Sequence, residues 1–215
     1  MRHSPNHDLL RRSRLLLVTD PRPDLTERVA AAVRGGVGVV QLRDKTTPRE
    51  RLLPLADRLR EVCEAGGALF TVNDDADLAL RSGAGGVHLG QEDGPLAEAR
   101  ELLGESAVIG RSVGTLEEAR EAVREGADYL GAGTIYATPT KSDTGPISGP
   151  RFLTELARAD LGLPFYAIGG ITAETAAEAA RAGAWGFAVV RAVLDAPDPE
   201  SAARDLLRYL ERGSG

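Results

Sequence analysis

Three observations predict an α/β fold, a single (β/α)8 barrel of the TIM type. Short apolar runs alternate along the chain with amphipathic runs rich in Ala, Leu, Glu and Arg. Those short runs are apolar at consecutive positions, which marks strands buried on both faces and therefore parallel. Glycines close the amphipathic runs, at Gly35, Gly66, Gly83, Gly126 and Gly183, where helix C-termini are expected. Right-handed crossovers would close eight such units into a barrel. A doubly wound open sheet is the alternative, and no GxGxxG follows the first apolar run to support it.

Residues 1–13 read as a flexible tail and 14–212 as the barrel, a catalytic domain. The strands are "RLLLVTD" (14–20), "VGVVQLR" (37–43), "LFTVND" (69–74), "GVHLGQ" (86–91), "AVIGRSV" (107–113), "YLGAGTI" (129–135), "PFYAIGG" (164–170) and "WGFAVV" (185–190). The helices between and after them are expected at 25–34, 48–65, 75–82, 95–103, 115–125, 150–159, 172–182 and 199–212. Their starts carry capping chemistry. Thr47-Pro48-Arg49-Glu50 has the capping-box spacing with proline at the first helical position; Asp24 with Glu27 and Thr115 with Glu118 repeat the spacing; Asp198-Pro199 is a further start.

A chain of 215 residues suits one such barrel, and 42% hydrophobic with 27% charged residues is ordinary for a globular protein. A net charge of −6 argues against a general binder of nucleic acid or anionic membrane, so any anion site is a local exception. The one cysteine, Cys63, allows neither an internal disulfide nor a zinc cluster. The "LLLV" run is too short for a secretory core or a membrane span, and the chain is expected in the cytoplasm.

A barrel of this kind carries its chemistry at the carboxyl ends of its strands. Polar residues gather there: Gln41, Arg43, Asp44 and Lys45 after strand 2; Asn73, Asp74 and Asp75 after strand 3; Gln91, Glu92 and Asp93 after strand 4; Arg111 and Ser112 on strand 5. The longest loop, 135–149, follows strand 6, and Gly169-Gly170 follows strand 7. Arg43, Lys45 and Lys141 are cations on converging loops, and Asp74 and Asp93 are carboxylates at neighbouring strand ends. One or two carboxylates beside cations suit Mg²⁺ with a phosphate group. The Gly169-Gly170 turn before a helix at Thr172 suits a second anion without metal. Each residue also has a plainer reading. Arg43 and Lys45 would pair with Asp44 on a solvated rim, Asp74 or Asp75 would cap a helix, Gly169-Gly170 would be a tight turn, and His88 and Cys63 would be core.

Six segments, "VVQLRDK" (39–45), "FTVNDDADLAL" (70–80), "GVHLGQED" (86–93), "IGRSVGTLEEA" (109–119), "GADYLGAGTIYATPTKSD" (126–143) and "AIGGI" (167–171), together resemble the thiamine phosphate synthase family over about residues 15–195. The resemblance implies a (β/α)8 enzyme, a transferase, that joins hydroxymethylpyrimidine diphosphate to hydroxyethylthiazole phosphate, or its carboxylated form, releasing pyrophosphate. It implies that Gln41, Arg43 and Lys45 contact the pyrimidine diphosphate, that Asn73 and Lys141 hold its pyrophosphate, and that Asp74 and Asp93 bind Mg²⁺. Ser112 would contact the pyrimidine, and Thr138, Thr140 and Gly170 the thiazole phosphate. The family usually has serine after the apolar run of strand 8, as in "VVSAI"; here "AVVRAV" places Arg191 after Val190, which leaves backbone contacts and a guanidinium in place of the hydroxyl. The implied mechanism is dissociative, with charge on the leaving group met by the metal and by Arg43, Lys45 and Lys141. A related thiazole tautomerase would show a histidine near the end of strand 6, where "GAGTIY" (131–136) has none; a non-catalytic barrel binding phosphate ligands is the third reading.

Overall fold

The computed structural model of the protein describes residues 3–138 and 146–212. Eight parallel strands close into a barrel in chain order. They are β1 (Leu15–Val18), β2 (Val39–Leu42), β3 (Leu69–Asn73), β4 (Gly86–Leu89), β5 (Val108–Val113), β6 (Tyr129–Ala132), β7 (Phe165–Ile168) and β8 (Gly186–Val189). The seam pairs Leu15 with Phe187 and Leu17 with Val189. The continuous apolar runs follow from burial on both faces. Leu16, Val18, Val39, Leu69 and Val108 fill the barrel, while Leu15, Leu17, Val40, Phe70 and Val72 pack outward against helices.

Between and around the strands lie α1 (Pro5–Arg12), α2 (Leu25–Arg34), α3 (Leu53–Gly66), α4 (Ala76–Arg81), α5 (Leu96–Leu103), α6 (Leu116–Arg124), α7 (Gly149–Ala159), α8 (Ala173–Arg181), α9 (Arg191–Leu194) and α10 (Pro199–Arg212). Two differences from the sequence reading have clear causes. Residues 5–12, expected within a flexible tail, form α1, capped by Ser4, which accepts from the His7 N–H, with proline in the first turn. Leu10 is buried in the barrel-interior cluster, and Tyr166 Oη just beyond donates to Ser13 O at 2.6 Å. The helix thus closes the amino end of the barrel. The second difference is at 48–65. Asp44 Oδ1 accepts from the N–H groups of Thr46 and Thr47 at 2.8 and 2.9 Å, so the expected Thr47 box does not form. A 3-10 turn, Arg49–Arg51, intervenes and α3 begins at Leu53 with Pro54 in its first turn.

Thr115 caps α6 as expected, accepting from the Glu118 N–H at 3.2 Å, but Glu118 accepts from Gly114 N rather than from its cap. Cys63 is fully buried in α3, and burial pushes its thiol up to about 12. Among the described residues no helix is long and apolar enough to cross a membrane.

Candidate active site

The carboxyl end of β2 is tied to β1 by Thr19. Its hydroxyl accepts from Arg43 N at 2.9 Å and donates to Arg43 O at 3.2 Å, which sets the backbone from which Arg43 projects. Asp44 does not serve as the counter-ion for its neighbours. Burial alone would raise its carboxyl, but hydrogen bonds from Thr47 and Thr46 outweigh that and hold it below the usual range. Lys45 instead approaches Asp74, with Nζ 3.8 Å from Oδ2.

The adjacent aspartates of β3 divide the work the sequence left open. Asp75 is the N-cap of α4, accepting from Leu78 N at 2.8 Å, and pairs with Arg49 at 2.7 Å. Asp74 is held in the left-handed region (φ 62°), which aspartate tolerates better than most residues, with its N–H donating to His88 O at 2.8 Å. This conformation turns it toward Asp93 of the β4 loop, whose carboxyl is near enough to perturb its own. Asp93 is placed by Gly90, whose N–H donates to Oδ2 at 2.7 Å. Burial first, then the neighbouring carboxyl of Asp93, push the Asp74 carboxyl up to about 6, while Lys45 and Arg43 pull it back. Two carboxyls facing one another in this way form a donor set into which a hard divalent cation fits. No cluster of three or more ligating side chains exists among the described residues, and Mg²⁺ bound with phosphate needs only one or two. Asn73 ends β3, half-buried beside the pair.

A cavity of about 570 Å³ occupies the other half of the mouth, over β5 to β8. Arg43, Ser112, Thr138, Gly170, Val190 and Arg191 all border it. Lys45, Asp74 and Asp93 are not among its walls. Gly169 and Gly170 have positive φ (96° and 63°), and a Cβ on Gly170 would lie 2.7 Å from Ala137 O, so the turn requires glycine on both counts. The donors that open α8 are partly taken by its own capping box: Thr172 N donates to Thr175 Oγ1 at 2.9 Å and Glu174 N to Thr172 Oγ1 at 3.3 Å. Val190 caps the short α9, whose first residue is Arg191. Arg22 donates to Asp195 at 2.9 Å, so the acid nearest Arg191 in sequence is already engaged. Arg111 plays a structural part, buried, with Nη1 donating to Gly90 O at 2.6 Å and Nη2 to Glu125 Oε2 at 3.2 Å. Thr140 and Lys141 lie outside the described residues. A second cavity, about 580 Å³, opens at the opposite end around Trp185 and contains none of the expected site residues.

The sequence reading missed several side chains that shape this mouth. Tyr136 borders the cavity and donates its hydroxyl to Glu178 of α8 at 3.0 Å. Thr175 completes the α8 box and donates to Gly170 O at 2.8 Å, and its three-residue spacing from Thr172 was a usable signal. Gln41, which the sequence did single out, is buried inside the barrel, 3.4 Å from Tyr129 Oη, and is not among the cavity walls.

The profile of the family described as "Thiamine monophosphate synthase" matches residues 15–193. A "Thiamine-phosphate synthase" of Halorhodospira halophila is 50% identical over 196 residues, 91% of this chain and 93% of the relative. One of Nostoc sp. is 45% identical over 206 residues, 96% of this chain, and the chain spans 58% of that relative's length. Among solved structures, "Thiamine phosphate pyrophosphorylase from Pyrococcus furiosus" superposes with TM-score 0.84 at 36% identity, covering 97% of this chain and 99% of the other.

Proposed function

Because the chain belongs to the thiamine monophosphate synthase family, we propose that it joins hydroxymethylpyrimidine diphosphate to hydroxyethylthiazole phosphate, giving thiamine phosphate and pyrophosphate. The observation that carries this reading is the division of one mouth into two halves. The ends of β2 to β4 hold a carboxylate pair beside Lys45, the ends of β5 to β8 hold a cavity floored by glycine backbone and bordered by Arg191, and Arg43 reaches from the first half to the cavity wall. A diphosphate with a cation suits the first half, and a phosphate monoester suits the second.

Asp74 and Asp93 would hold Mg²⁺, which when bound neutralises charge on the diphosphate. Arg43 and Lys45, with Asn73 and with Lys141 of the loop outside the described residues, would bind the same group and stabilise the charge that grows as the carbon–oxygen bond breaks. Gln41 and Ser112 would orient the pyrimidine. Thr138, Thr140, Gly170 and the Val190–Arg191 backbone would hold the thiazole phosphate so that its ring nitrogen faces the pyrimidine methylene carbon. That nitrogen forms the new bond with its lone pair and carries no proton, so the step requires no general base. A barrel whose one cysteine is buried suits a reducing cytoplasm. Incubation with both substrates and Mg²⁺ is expected to yield thiamine phosphate and pyrophosphate in equal amounts; no product under these conditions would overturn the reading.

A further inference from the structure

A row of polar groups crosses the inside of the barrel and ends at the cavity wall. Gln41 Nε2 lies 3.4 Å from Tyr129 Oη, Tyr129 Oη 3.0 Å from His88 Nδ1, and His88 Nε2 2.9 Å from Ser112 Oγ. Gln41, Tyr129 and His88 are buried, and Ser112 opens on the cavity. Two glycines on neighbouring strands make the room. A Cβ on Gly110 would fall 2.5 Å from His88 Nδ1, and one on Gly131 would fall 3.0 Å from His88 Cε1.

The row has a direction. Burial pushes the Tyr129 phenol well above its ordinary range, so it keeps its proton. Its oxygen faces two donors, the Gln41 amide at 3.4 Å and the Thr71 hydroxyl, each of which acts to lower the phenol's pKa. With both donors turned to that oxygen, the phenol proton is left for His88 Nδ1 at 3.0 Å. A neutral imidazole that accepts at Nδ1 carries its proton on Nε2 and donates from there. Ser112 Oγ receives that N–H, which leaves the serine's own proton free to point into the cavity.

We propose that His88 is a positioning residue that makes Ser112 a hydrogen-bond donor, so that this wall selects a ring presenting an unprotonated nitrogen. The proposal rests on the reaction above in one respect: a pyrimidine carries such nitrogens. The reversed row, with Nδ1–H toward Tyr129 and Ser112 donating to Nε2, would make the serine an acceptor and select an amino group instead.

Nitrogen NMR of the full chain labelled at its three histidines, assigned with His88→Gln, reads the tautomer directly. The Nε2–H form is expected for His88, and the Nδ1–H form would overturn the proposal. Kinetics give an independent reading. His88→Gln can place an amide near the lost Nε2, so the KM for the pyrimidine diphosphate is expected to stay within about threefold, whereas the shorter side chain of His88→Asn should raise it about tenfold, the scale of one hydrogen bond. The KM for the thiazole phosphate should stay the same in both. Equal effects of Gln and Asn, or a rise in both KM values, would show a packing role only. If the wild-type chain makes no thiamine phosphate the proposed reaction falls, and the tautomer still decides the direction of the row.

Discussion

The two ends of the barrel use the same kinds of side chain in opposite ways. At the amino end, Asp128 is buried and paired with cations. It meets Arg100 at 2.5 Å, accepts from Ile109 N at 2.9 Å and lies 3.2 Å from His7 Nε2, while Ser4 Oγ sits 2.7 Å from the other ring nitrogen of His7. At the carboxyl end, Asp74 faces another carboxyl, Lys45 lies 3.8 Å away, and Arg191 is exposed beside a cavity. Charges at the closed end pair with one another and tie α1 to the barrel through His7, although His7 Nε2 and Arg100 Nε make no hydrogen bond. Those at the mouth leave a carboxyl facing a carboxyl and a guanidinium facing a cavity, which is the pattern expected where a ligand binds.

The largest expected effect sharpens that contrast. Asp74→Ala or Asp93→Ala should lower turnover about a thousandfold, several kcal/mol of barrier, through loss of the cation site. Asp74→Asn, which keeps a side chain that tolerates the left-handed backbone and removes one of the two facing carboxylates, should not lower the melting temperature. Full activity in excess EDTA, or near wild-type turnover in both variants, would remove the metal from this place. At the other end the pattern should invert. Asp128→Ala strands Arg100 in a buried site and should cost about 3–5 kcal/mol of stability, with turnover of the folded enzyme nearly unchanged. A thermal melt paired with kinetics below the transition tests it, and a large loss of turnover without loss of stability would erase the distinction between the ends.

A smaller effect is expected for Arg191→Ala. If the guanidinium reaches the thiazole phosphate, that substrate's KM should rise about tenfold, the scale of one charged hydrogen bond at ~1.5 kcal/mol. The pyrimidine diphosphate KM should hold steady. Steady-state kinetics with each substrate varied in turn decide it, and an unchanged thiazole KM would assign the phosphate to backbone alone.

The smallest effect concerns pH. The raised Asp74 carboxyl means that the folded state binds this proton more tightly than the unfolded chain does. Its stabilising contribution is full below about pH 4 and is lost as pH rises through about 6. In metal-free protein, wild type should therefore lose melting temperature relative to Asp74→Asn between pH 5 and pH 7. A constant difference between the two proteins across that range would show that the proton is not held there.

How much of this was legible in the sequence depended on range. The eight strands were visible because both faces are buried and the apolar runs are unbroken. The clustering of Arg43, Ser112, Gly170 and Arg191 followed from strand order alone, since a barrel sends every strand end to one rim. Helix α1 escaped because Leu9 and Leu10 are the only apolar residues within it, although Ser4-Pro5 was a start signal of the kind recognised elsewhere. The choice between Asp74 and Asp75 turned on one backbone angle that composition does not encode. Arg22 engaging Asp195 could not be seen, because the two are far apart in sequence and meet only once β8 lies beside β1. Of the expected site, Thr140 and Lys141 fall outside the described residues.

That β1–β8 seam also bears on how the chain reaches its fold. Leu16 of the first strand pairs with Ala188 of the last, so one edge of β1 has no partner until nearly the whole chain exists. Contacts of such long sequence separation form late, and folding is slow in proportion. During synthesis the waiting edge of "LLLV" is an apolar template on which a neighbouring nascent chain could pair. Helix α10, which packs on β1, also follows β8 in the chain, so the open edge of β1 is protected only by arrival of "GFAV". Truncation within β8 should therefore yield aggregate rather than a seven-stranded monomer.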